Sequence, residues 1–201
     1  YWVGGSGDWA DASHWSIAPD GPGGAGAPRA GQSAVIAPAA GDVTIGIHGD
    51  QAVAALRMEA DHGTVTLEGD RGRLRVEGDL SLHGSVDWRF TGTVELSPGE
   101  GIAELDLRGI PLASDVVFTG GVWSIKSDVV LHDDRTIELH AGTVVTNGNM
   151  LRAGTLLFTG RQAKRLMAGG SVVVLAQAFD PGGARNVVDA GVSRLIVSDQ
   201  A

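Results

Sequence analysis

The chain has 201 residues, a formal net charge of −9 and no cysteine. That length suffices for one sizeable core, or for a solenoid that keeps adding turns. Without cysteine there is no disulfide, no thiolate metal site and no thiol nucleophile, and the acidic balance opposes nucleic acid or an anionic membrane surface as partner. Hydrophobic residues are 43% of the chain and glycines number 31, which predicts a folded chain with frequent turns. The longest apolar run, Val172 to Ala176, has the length of a strand, so no membrane insertion is expected. The chain opens with Tyr1 and Trp2 instead of Met, which reads as a mature or excised chain whose targeting segment is gone.

Residues 1–40 differ from the rest. They hold three of the five tryptophans, Trp2, Trp9 and Trp15, and the stretch at 21–31, GPGGAGAPRAG, reads only as a loop. The expectation is a Trp-rich cap that seals the end of a stack, followed by a Gly/Pro surface loop.

Residues 41–201 read as one continuous domain of short strands. Val65 and Leu67 alternate with Thr64, Thr66 and Glu68; Leu74 and Val76 with Arg73, Arg75 and Glu77. The same period of two runs through Val86-Trp88-Phe90, Leu105-Leu107 and Ile137-Leu139. Successive strand side chains point to opposite faces, so each run predicts a strand with one buried face. The face of Trp123 is not assigned by its mixed neighbours. The best helical candidate, Gln162 to Met167, is too short to stand alone. Gly-centred breaks such as Glu68-Gly69-Asp70, His83-Gly84 and Asn147-Gly148-Asn149 supply residues that tolerate positive φ at tight corners.

Phe-Thr-Gly recurs at residues 90–92, 118–120 and 158–160, with uneven spacing. Recurring phrases and many short strands predict an all-β parallel β-helix, a β-solenoid with coils of varying length. An antiparallel β-sandwich is the alternative, because both folds alternate inside and outside positions.

The opening Trp2-Val-Gly-Gly-Ser-Gly7, Asp8, Trp9, then His14 and Trp15, resembles the start of repeat regions in large secreted surface proteins of Bacteroidota, including adhesins and type IX secretion cargo. A second stretch, Ala141 to Ser171, resembles a later part of the same repeats, and Asp115 to Leu131 the coil between them. Gln32 to Ile36 lacks the acidic pair of that family, Val53 to Leu56 lacks its cysteine, and no C-terminal sorting domain is visible. The resemblance implies a secreted or cell-surface location and a structural or adhesive role, and it supplies no catalytic residues.

Candidate sites are few. Asp8 and Asp11 could hold a calcium ion in the cap, or bond backbone amides in tight turns. Asp133 and Asp134, within His132-Asp133-Asp134-Arg135, could bind a cation, or form a solvated turn. Ser13 or Ser81 with His14 or His83 could be assembled into a Ser-His-Asp set, but no nucleophile elbow brings them together. Arg161, Lys164 and Arg165 form a basic run that suits either a polysaccharide lyase on a β-helix or a solvated corner. Trp2, Trp9 and Trp15 could display a glycan platform. The segments ending in Val187-Val188 and Leu195-Ile196-Val197 look like strands, which predicts self-association of an open edge through Leu195 and Val197. The expected protein is therefore non-enzymatic, with no required cofactor. Its expected partners are copies of itself or neighbouring modules of a larger surface protein, with glycan binding, then polysaccharide cleavage, as the other readings.

Overall fold

The computed structural model describes residues 1–39, 41–99, 101–183 and 185–198. The chain begins with β1 (Gly7–Asp8) and a 3-10 turn (Ala12–His14), followed by a long loop. The first coil comprises β2 (Ser33–Ile36), β3 (Val43–Gly46) and β4 (Gln51–Val53). The next two are built from long bent strands, each followed by a short one: β5 (Ala55–Gly69) with β6 (Arg73–Val76), then β7 (Leu80–Phe90) with β8 (Thr93–Leu96). β9 (Ile102–Asp106), β10 (Asp115–Ile125), β11 (Val129–Val130), β12 (Thr136–Val145) and β13 (Leu151–Phe158) continue the winding. β14 (Lys164–Met167), β15 (Val172–Asp180), β16 (Val187–Asp189) and β17 (Arg194–Val197) complete it.

Every ladder between these strands is parallel, and they stack into a solenoid of about seven turns. Three faces result. The first stacks β2, β5, β7, β9, β10, β12, β14 and β16. The second begins with β1, β3, β5 and β7, and after an interruption continues with β11, β13, β15 and β17. The third stacks β4, β6, β8, β10, β12, β13 and β15. The antiparallel sandwich is thereby excluded. Alternation could not exclude it, because a solenoid strand also has one face inside and one outside.

The core is a set of apolar ladders along the axis. On the first face Ala34, Leu56, Leu80, Leu105 and Ile125 lie in register, all buried. On the third, Leu74, Val94, Val116, Ile137 and Leu156 do the same. Parallel stacking gives each inward side chain a neighbour above and below, which is how a narrow tube removes so much apolar surface from water. Trp123 points inward in the ladder Ala103-Trp123-Val144-Leu166.

Corners are held by two devices. Aspartates that follow Gly or Ser accept a backbone N–H of the next coil. Asp42 accepts from Thr64 at 2.9 Å, Asp79 from Glu104, Asp115 from Thr136 and Asp128 from Met150 at 2.8 Å each. These bonds satisfy amides at corners, where the ladder lapses. Asp115→Ala should lower the unfolding free energy by about 1–2 kcal/mol, read by urea denaturation. Close backbone stacking is the other device. Gly142 has φ +89°, and a Cβ there would lie 2.5 Å from the Gly121 carbonyl oxygen. Gly142→Ala should therefore cost about 1–3 kcal/mol for its φ, with the clash in addition, visible as a lowered Tm.

Two boundaries differ from the sequence reading. Coiling starts at Ser33, inside the segment assigned to cap and loop, because β2 already pairs with β5. The helical candidate over 162–167 is instead β14, since Leu166 lies between Val144 and Val188 in a parallel ladder. Residues 199–201 of the expected solenoid lie outside the described residues.

Candidate functional site at the open end of the solenoid

Among the described residues, no coil stacks on the inward positions of the coil that holds β16 and β17. Leu195 continues the ladder Val129-Leu151-Val173, and Val197 continues Ala153-Leu175. Val173 and Leu175 are 4% and 0% exposed, whereas Leu195 and Val197 are 51% and 46% exposed. Val188, over Leu166 on the first face, is exposed as well. The two residues expected to mediate self-association therefore point along the core direction and meet solvent. An exposed apolar row beside an unpaired strand edge is the feature that natural sheets normally cover or charge.

The charge around this end is unusual for so acidic a chain. Each arginine and lysine from Arg57 to Arg152 has an acidic partner within ion-pair distance. Beyond Arg152 lie Arg161, Lys164, Arg165, Arg185 and Arg194, and none of them is ion-paired among the described residues. Lys164 corrects the expectation of a solvated corner, for it is only 1% exposed. Its ammonium donates to the carbonyls of Gly160 at 3.0 Å and Gln162 at 2.5 Å, and reaches Asn186 Oδ1 of the last coil at 3.5 Å. Three carbonyl oxygens match the three ammonium donors, so the cation is accommodated without a carboxylate. Arg165 sits on the outer face, between Thr143 and Val187.

The opposite end is closed. Trp2, Trp9 and Trp15 are buried, at 4%, 0% and 1% exposure. Trp15 stands edge-on to Trp9 at 4.9 Å and to Trp2 at 5.2 Å, and Trp2 stacks on His14 at 4.6 Å. The Trp15 indole N–H donates to the Trp9 carbonyl at 2.6 Å. These rings form a cap. As a glycan platform they fail, because a sugar needs an exposed ring face and these faces are covered by one another.

The cap aspartates serve turns. Asp8 accepts from the Ala10 amide at 2.7 Å and lies 3.6 Å from His48. Asp11 caps the 3-10 turn by accepting from the Ser13 amide at 2.9 Å, and this bond holds its carboxyl below the usual range. Asp133 pairs with Arg152 of the next coil through two bonds of 3.1 and 3.0 Å, and Asp134 lies 3.5 Å from Arg135. Among the described residues no three His, Asp or Glu side chains form a group able to hold a metal ion.

Ser81 and His83 are brought together with an aspartate, contrary to the sequence reading. They lie two residues apart on the outer side of β7, and Ser81 is in register with Asp106 of the next coil. His83 Nε2 is 3.9 Å from Asp106, but Asp106 is engaged by Arg108 at 3.0 Å, and no hydrogen bond joins Ser81 to His83. Ser13 instead donates to Asp11, and His14 Nδ1 lies 3.1 Å from the Val3 carbonyl.

On the third face, Glu138 is half-buried. Burial pulls its carboxyl upward, but the Thr159 hydroxyl and the His140 imidazole at 2.8 Å outweigh that and hold it below the usual range. A folded-state pKa below the unfolded one stabilises the fold above the unfolded value and loses that contribution on acidification. The stability difference between the wild type and Glu138→Gln, measured by urea unfolding, should be present above the ordinary carboxylate range and shrink as the pH falls below it.

No family model, curated protein or solved structure matches the chain.

Proposed function

We propose that this protein is an extracellular structural or adhesive solenoid module that self-associates end to end, in a surface filament or as a unit of a large adhesin. The observation that carries this reading is the exposure of Leu195 and Val197 at positions whose equivalents one coil below are buried. Covering them removes apolar surface from water and gives the β17 edge a partner. The resemblance of the opening phrase to secreted surface repeats supports the location.

The partner is a second copy. Residues 153–201 carry Arg161, Lys164, Arg165, Arg185 and Arg194 against Asp180, Asp189 and Asp199, a net +2, and the first 56 residues carry Asp8, Asp11, Asp20, Asp42 and Asp50 against Arg29 alone, a net −4. Charge of opposite sign at the two ends favours head-to-tail contacts, which propagate as filaments unless their rotation closes a ring. Electron microscopy and sedimentation of the wild type should show end-to-end assemblies that weaken as salt rises. Leu195→Lys combined with Val197→Lys should leave monomers with the same strand content. Assembly that persists in this double variant would place the contact elsewhere and defeat the proposal.

A further inference from the structure

The cap carries a groove at its outer edge. Three segments lie side by side beyond β2: the Trp2 amide donates to the Val35 carbonyl, the Ser16 amide to that of Tyr1, and the Ala25 amide to that of Trp15, at 2.8, 2.8 and 2.9 Å. After Trp15 the chain bends at Ile17, and the loop returns through Pro28 to enter β2 at Ser33. Between these stretches is a cavity of about 220 Å³, with Tyr1, Ile17, Ala25 and Pro28 as apolar wall and Gln32 and Ser33 as polar wall. Ile17 is 90% exposed, more than any other large hydrophobic side chain among the described residues.

The exposed large hydrophobic residues fall at the two ends of the tube. Six lie in the coil of β16 and β17, Leu195 and Val197 among them, and two, Tyr1 and Ile17, line the groove. Ile102 alone lies between. Two apolar surfaces that stay wet in a monomer cover each other when copies of the chain meet. Charge selects the pairing. Two open ends would bring together two segments of net +2, and two caps two segments of net −4, whereas an open end against a cap joins opposite signs. Asp20 is exposed three residues after Ile17, which puts one of the cap's negative charges on the same loop.

We infer that this groove receives the open end of a second copy, with Leu195 and Val197 packed against Ile17 and Tyr1. The inference rests on the self-association proposed above and adds the surface that completes it. A contact between two different surfaces is heterologous, so each copy keeps one end free for the next and the filament has a direction.

Sedimentation of the full chain and its variants tests this. Ile17→Ser keeps the net charge and should weaken association at least about tenfold, as the loss of one packed side chain from the centre of a contact does. Ile17→Lys should leave monomers. Because Ile17 is exposed, circular dichroism and Tm of both variants should match those of the wild type. The decisive sample is an equimolar mixture of Ile17→Lys with the Leu195→Lys, Val197→Lys double variant. Each is blocked at one end and intact at the other, so the mixture should give heterodimers and nothing longer. If Ile17→Lys assembles like the wild type while the double variant does not, the open end docks elsewhere; the inference then fails and self-association stands. A mixture that stays monomeric would also overturn it. A wild type that stays monomeric at every concentration defeats both readings.

Discussion

Trp9→Ala should lower the unfolding free energy by about 3–5 kcal/mol, the range found when a buried aromatic side chain is removed without collapse of its site. Trp9 is fully buried and its ring meets Trp15 at 4.9 Å, so the deletion leaves a cavity at the end of the tube. The Trp9 amide also donates to the Gly46 carbonyl at 2.8 Å, which ties the cap to the first coil. Loosening the cap exposes the ends of the ladders that begin at Ala34 and Ile45. Trp9→Phe distinguishes packing from polarity. The Trp9 indole N–H is buried with no acceptor, so phenylalanine removes an unsatisfied donor while keeping an aromatic body. It should recover more than half of the loss seen with alanine. Urea denaturation of both variants gives the answer, and an alanine variant within about 1 kcal/mol of the wild type would mean that the three-ring cap does not stabilise the solenoid.

Lys164→Met is expected to cost about 2–4 kcal/mol, although methionine fits the volume and needs no solvated charge. Two opposing effects decide the outcome. Burying the ammonium is unfavourable, and the substitution relieves that. The carbonyls of Gly160 and Gln162, and Asn186 Oδ1, then lose their donor. Water can reach some of them from the corner, which keeps the expected cost near that of one or two lost charge-assisted bonds instead of three. Asn186 belongs to the last coil, so the same change should loosen the end that carries Leu195 and Val197. Faster amide exchange in β16 and β17 than in β5 would record this local opening. A variant as stable as the wild type would show that desolvating the cation cancels what its three bonds contribute.

Much of the strand content was legible because a period of two is a local property. Val65, Leu67, Leu74, Val76, Leu105, Ile137 and Leu139 were assigned inward from alternation alone, and all are buried. The recurrent Phe-Thr-Gly was visible too, and its meaning is structural: Thr91 and Thr119 use their hydroxyls on carbonyls of the preceding coil, those of Gly69 and Leu96. The corner aspartates were missed, yet a signal was present, since Gly or Ser before Asp before an apolar strand start recurs at Asp42, Asp79, Asp115 and Asp128. The groove in the cap had no such signal. It joins Tyr1, Ile17, Pro28 and Gln32, and it exists because Trp2 and Trp15 pair side by side beyond β2.

By itself, then, the sequence determined that this is an all-β chain with one buried face per strand, Gly-rich corners and an aromatic opening, because side-chain alternation and turn chemistry act over a few residues; that many of the expected short strands run on around a corner as long bent ones, such as β5 and β7, it did not show. Only the tertiary structure decided that the strands run parallel, that the tryptophans face one another instead of a ligand, and that Lys164 is buried. Each of those depends on what lies one coil away, about 22 residues along the chain, a distance over which local patterns carry no information about which side chain has a neighbour above it.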